Sequence, residues 1–186
     1  MRIRAWILVA VAALALAGCG DHRLVLTVDV LSYLDDSQRN VAVGALPEGA
    51  QPGPVPIIDD QTINLISGMG DVAEVQSVTL RLEGQITAAS GSGSGRLRLY
   101  LSDEQTPPLA AVPVLDVPVQ FAAGAPDTVS AEAACAPDVA ALFLKQKMRM
   151  AMVVDSGMVA PPGATGVAMS LQKLEAIVVA GRKKSL

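Results

Sequence analysis

The chain has 186 residues, 14 basic and 18 acidic side chains, one histidine, two cysteines and only 3% aromatic residues. One histidine and two cysteines cannot supply the three or four nitrogen and sulfur ligands of a zinc centre, and an acidic chain without a basic stripe is not built for nucleic acid. So few aromatics leave little to stack against a sugar or a single-stranded base.

Chain order begins with a leader. Arg2 and Arg4 give a positive start, and Ala5–Ala17 is an uninterrupted apolar run, AWILVAVAALALA. At about thirteen residues it falls short of the roughly twenty needed to cross a hydrocarbon core of about 30 Å, so it reads as a secretory signal rather than a membrane span. The run closes on Leu16-Ala17-Gly18-Cys19. This stretch resembles the lipobox of bacterial lipoproteins, in which an apolar residue and two small residues precede an obligatory cysteine. The resemblance covers residues 1–19 only. It implies cleavage before Cys19, a diacylglycerol on the Cys19 thiol and acylation of the new amino group, and so attachment to a membrane outside the cytoplasm. Inner-membrane retention in Gram-negative lipoproteins uses an Asp directly after the cysteine. Gly20 stands there instead, which implies the outer membrane, facing the periplasm, if the cell is Gram-negative. Residues 19–22 are then a lipidated tether, 23–181 a single domain and 182–186 a polar tail. With Arg2 and Arg4 removed, 12 bases face 18 acids, a formal charge of −6.

In Arg23–Leu34, Leu24, Leu26, Val28, Val30 and Leu34 fall on one face and Thr27, Asp29 and Tyr33 on the other, which predicts a half-buried strand. Glu48–Pro56 is rich in Pro and Gly and reads as a loop, and Thr62–Ile66 as a short strand. Alternation returns with Val78, Leu80 and Leu82, and again with Leu97, Leu99 and Leu101. The intervening SGSGSG, Ser90–Gly95, reads as a flexible hairpin connection. Pro113 and Pro118 confine Ala111–Val119 to an edge or bulged strand, because proline cannot donate to a ladder. Thr128–Ala134 reads as a further strand. Asp138, Val139, Leu142, Phe143 and Gln146 follow helical spacing, which predicts one short helix near 138–146 capped by Asp138. Met148, Met150, Met152 and Val154 then alternate on one strand face; Gly157–Gly166 reads as a loop, and Val167–Ala180 as a long last strand. Together these predict an all-β fold, a two-layer antiparallel β-sandwich of about eight or nine strands with one crossover helix.

Catalytic chemistry finds little to work with. The one imidazole, His22, lies three residues from Cys19 on the tether, a poor place for a general base. After lipidation Cys135 is the remaining thiol, and its apolar setting, AEAACAP, predicts a buried small hydrophobe. Asp35-Asp36 and Asp59-Asp60 are weak metal candidates, since turns favour Asp in any case and neither pair has the ligand spacing of a calcium loop. No cofactor is predicted. The methionine stripe, Met148, Met150 and Met152, is either core or the wall of an apolar ligand site. The expectation is a lipid-anchored, non-enzymatic envelope protein with a structural, adhesive or protein-binding role, its partners the membrane and another envelope protein. A carrier or sensor of an apolar small molecule or lipid, using the methionine face, is the alternative.

Overall fold

The computed structural model describes residues 23–46, 54–65, 72–159 and 163–182. The leader, Cys19 and its tether, Ile66, most of the Glu48–Pro56 loop and residues 183–186 lie outside the described residues. Nine strands are described: β1 (Arg23–Asp29), β2 (Asn40–Leu46), β3 (Val55–Asn64), β4 (Val72–Thr87), β5 (Ser92–Ser102), β6 (Leu115–Ala122), β7 (Asp127–Ala134), β8 (Lys147–Val159) and β9 (Ala164–Arg182). They form two antiparallel sheets. The larger runs β1-β9-β4-β7, with β2 also paired to β9, and the smaller runs β3-β8-β5-β6. The fold is the all-β sandwich that the alternation predicts.

The core is the set of inward positions of both sheets. Val78, Leu80 and Leu82 of β4 and Leu97, Leu99 and Leu101 of β5 are buried, as their spacing requires. In β9 the buried face changes phase. Val167, Met169 and Leu171 are buried, then Leu174, Ala176, Val178 and Ala180. The cause is a bulge: Gly84 pairs with Leu171 and Glu83 with Lys173, which leaves Gln172 as the extra residue. One inserted residue returns the following side chains to the core. At the same place β9 changes neighbours, pairing with β2 on one side of the bulge and β1 on the other.

Several boundaries differ from the sequence reading. β1 ends at Asp29, and Val30–Tyr33 is a 3-10 turn in which the Ser32 hydroxyl donates to the Asp29 carbonyl at 2.7 Å. Val30 and Leu34 are both buried. Positions four apart satisfy a strand period and a helical turn alike, so the alternation concealed the bend. A four-residue helix, α1 (Asp36–Arg39), and strand β2 follow, neither of which was predicted. β3 begins at Val55, inside the expected loop, and β8 and β9 shorten the Gly157–Gly166 loop from both ends. The crossover helix α2 (Pro137–Leu142) is shorter than predicted. Its cap is Ala136, with Pro137 in the first turn where a missing N–H costs nothing, and Asp138 lies one position inside. It joins β7 of one sheet to β8 of the other.

Ser90–Gly95 is not a hairpin connection. β4 belongs to the larger sheet and β5 to the smaller, and Ser92–Gly95 is already strand. The corner is Ala88–Gly91, fastened to the start of β9: Ala89 N–H donates to the Thr165 carbonyl at 2.9 Å, and the Ser90 and Thr165 hydroxyls lie 2.6 Å apart. Gly91 has φ +75°, and a Cβ there would sit 2.0 Å from the Gly163 carbonyl oxygen. Only glycine fits both the left-handed backbone and the contact.

Candidate functional site

Three groups of side chains compete for a functional role: the aspartate pairs, the methionine stripe and an array of ion pairs that the sequence did not reveal. The aspartate pairs lie in neighbouring segments, since Gln38 Nε2 of α1 donates to Gln61 Oε1 of β3 at 3.1 Å. Their carboxylates are engaged separately. Asp35 starts α1, where its N–H donates to Gln38 Oε1 at 2.9 Å, and Asp36 lies 3.9 Å from Arg39. Asp60, at φ +44°, accepts two hydrogen bonds from the Arg149 guanidinium, one of 2.7 Å from Nε. Asp59 is exposed. Among the described residues no three His, Cys, Asp or Glu side chains gather as metal ligands would.

Met148, Met150 and Met152 are fully buried on the inner face of β8 and belong to the continuous core. Two surface depressions are present elsewhere. One, of about 490 Å³, is open and lined by Ser92–Ser94, Phe121 and Pro126 at the junction of β5, β6 and the turn into β7. The other lies among Asp103, Glu104, Lys145 and Lys147. Neither is lined by the methionine stripe, whose side chains fill the space between the sheets.

The outer face of the smaller sheet carries charge across all four of its strands. Arg96 of β5 donates to Asp116 of β6 at 2.6 Å. Arg98 reaches Asp116 at 3.4 Å and Asp155 of β8 at 2.9 Å. Arg149 of β8 holds Asp60 of β3. Partial desolvation opposes the Arg98 charge, but Asp116 and then Asp155 outweigh it and hold the guanidinium above its ordinary pKa. The hydrogen bond from Arg96 leads in holding the Asp116 carboxyl below the usual carboxylate range, against some desolvation. Ala151 and Val153 lie on this same outward face yet are only 2% exposed. Their cross-strand partners are Tyr100 and Arg98, long side chains whose apolar stems cover short neighbours. The array is therefore an ordered charged lid on apolar positions. Periodicity marks Arg96 and Arg98 as outward, but only strand order and register show which carboxylates meet them.

Cys135 is half-buried against the core, just after β7, where its N–H donates to the Val78 carbonyl at 2.8 Å. Burial pushes its thiol up to about 11, the opposite of what a reactive thiolate needs. Cys19 and His22 lie outside the described residues, but their attachment point does not. Arg23 opens β1 and stands opposite Gly181 near the end of β9.

No family model matches the chain, and no curated protein matches it. Solved structures resemble it distantly. Dimeric latent PorU from Porphyromonas gingivalis matches with 12% identity and a TM-score of 0.41 over 89% of this chain and 14% of that one. The infectious bursal disease virus VP2 subviral particle gives 12% and 0.38 over 87% and 33%. The tobacco streak virus coat protein gives 10% and 0.31 over 90% of both chains. The chain thus spans about a seventh to a third of the first two.

Proposed function

We propose that this chain is a lipid-anchored cell-envelope protein whose β-sandwich serves a structural, adhesive or protein-binding role outside the cytoplasm. The observation that carries the reading is the order of the N-terminal residues: a basic start, a short apolar run, Leu16-Ala17-Gly18-Cys19, and a strand that begins only four residues later at Arg23. Each buried acyl CH₂ contributes about 0.8 kcal/mol, so two or three chains on one residue hold a protein stably where a single chain does not. The side chains of the domain support a binding rather than a catalytic role: its imidazole is on the tether, its free thiol is held protonated, and the arginines on the outer face of the smaller sheet are paired with aspartates. Gly20 after Cys19 favours the outer membrane, facing the periplasm, in a Gram-negative cell.

The test is Cys19→Ser expressed in the native host. The variant is expected to leave the membrane fraction, while the parent stays there through high-salt and carbonate washes and shows acyl chains on an N-terminal Cys19 by mass spectrometry. A Cys19→Ser protein that remains with washed membranes overturns the proposal.

A further inference from the structure

One end of the sandwich gathers features that the other end does not share. β1 begins there and β9 finishes there, since Arg23 pairs with Gly181. β4 starts at the same end, with Val72 opposite Arg182. The other sheet turns its α2-to-β8 connection and its β5-to-β6 loop toward this side, because β5 leaves the corner at the far end of β4 and β8 runs antiparallel to β5; α2 itself starts opposite the middle of β4, since β7 ends at Thr79. The opposite end carries the β4-to-β5 corner and the β6-to-β7 turn.

Among the described residues the large exposed apolar side chains are Leu24, Val25, Leu109, Val112 and Leu144, and none of them lies at the opposite end. Leu24 and Val25 are in β1, Leu109 and Val112 in the loop after β5, and Leu144 just beyond α2. Val112 is 80% exposed. Scattered exposed apolar residues need no explanation; five that all avoid one end of a small domain do.

Charge follows the same division. Arg23, Lys145, Lys147 and Arg182 stand at this end, with Lys183 and Lys184 next in sequence. Glu74, Asp103, Glu104 and Asp138 stand there too, so among the described residues four bases meet four acids and the end is balanced. The formal −6 of the mature chain therefore sits on the remainder of the domain. A surface that meets lipid headgroups should be apolar and free of net negative charge, because anionic lipids repel acidic faces.

We infer that this end is a membrane-docking face, seated at the lipid interface with Leu24, Leu109, Val112 and Leu144 against the headgroup–acyl boundary. The inference rests on the lipid-anchor reading, which brings the face to the bilayer. Four extended residues, Cys19 to His22, reach about 14 Å at most, too little for the domain to stand clear of the surface. The anchor supplies the affinity and the apolar end fixes the orientation, with the acidic remainder directed away from the membrane.

Removal of the leader takes the only tryptophan, Trp6, so an introduced tryptophan is the single indole of the mature protein. Lipidated Val112→Trp and Ala125→Trp proteins, the second in the turn at the opposite end, are purified from the host. Each is reconstituted into phosphatidylcholine vesicles with brominated acyl chains, and mass spectrometry establishes acylation of Cys19. Val112→Trp is expected to lose about half its emission or more, as befits a ring about 5–10 Å inside the interface, and Ala125→Trp to be unaffected. The loss should persist in 1 M salt. Leu109→Trp repeats the test at a second exposed site. Acylated proteins with no quenching at Val112 or Leu109, equal quenching at Ala125, or quenching abolished by salt each overturn the docking face and leave the anchor standing. Absence of acyl chains on Cys19 overturns both.

Discussion

Arg23 and Gly181 stand directly opposite one another in the antiparallel ladder of β1 and β9, 158 positions apart in the chain. Opposed residues in such a ladder have Cα atoms about 4.5–5.5 Å apart, inside the range a disulfide spans. A Cβ at Gly181 meets nothing closer than Gln76 Nε2, at 3.7 Å. Arg23→Cys with Gly181→Cys, in a Cys135→Ser background, is expected to oxidise to a faster-migrating species on a non-reducing gel. Its unfolding midpoint in urea should rise by the equivalent of about 2–4 kcal/mol. Failure to close under mild oxidant would mean that β1 does not lie on β9.

Met150 is fully buried between Leu101 and Gln61, its ladder neighbours on β5 and β3. Met150→Asp is expected to cost about 4 kcal/mol or more, because the carboxylate would be buried without a partner. Met150→Leu keeps volume and apolarity and should cost less than about 1.5 kcal/mol. Thermal melts of the two variants check the pair; an unchanged midpoint for Met150→Asp would place the side chain at the surface.

Gly91 turns the chain from one sheet to the other. Gly91→Ala is expected to destabilise by about 2 kcal/mol or more, since the left-handed backbone alone costs about 1–3 kcal/mol for a residue with a Cβ. The Gly163 carbonyl, 2.0 Å from that Cβ, must also move. Gly124 has a similar φ of +78° but open space around it, so Gly124→Ala should show the backbone cost alone. Urea denaturation of both separates strain from clash.

Asp116 binds both Arg96 and Arg98, and its side chain is about one-third exposed. Asp116→Asn should cost no more than about 1 kcal/mol at neutral pH, as solvent screens such pairs. The folded carboxyl titrates below its unfolded value of about 3.9, so its contribution is present above that pH and is lost as pH falls through the folded pKa. Parent and variant should therefore differ at pH 7 and converge as the pH is lowered through the folded pKa, measured by urea melts at each pH.

The strand faces were legible because burial on one side of a sheet imposes a period of two, and Val78–Leu82 of β4 and Leu97–Leu101 of β5 keep it. β2 escaped because its register shifts at Gly44 and Leu46, which breaks NVAVGAL before the alternation can accumulate. Ser92–Gly95 escaped for a different reason: its composition is that of a linker, and its place in β5 comes from pairing with β6 and β8, partners distant in the chain. The Arg98 array needed the same distant information. Of the two carboxylates that Arg98 reaches, Asp116 lies on the next strand, β6, but Asp155 lies on β8, which sheet order and not sequence order sets beside β5. The helix near 138–146 was legible in position but not in length, since Phe143 satisfies helical spacing while sitting in the turn that follows.

β9 is the partner of β1, β2 and β4, so three strands of one sheet wait for a single segment near the C-terminal end of the chain. A ribosome adding about 5–20 residues per second needs roughly seven to thirty seconds to travel from Arg23 to the start of β9. Throughout that interval β1 and β2 exist only as unpaired, adhesive sequence, and the larger sheet has no middle. The order of synthesis thus forbids early closure of the domain: its first strand can be built, moved and handled as open chain, and becomes structure only when the last one arrives.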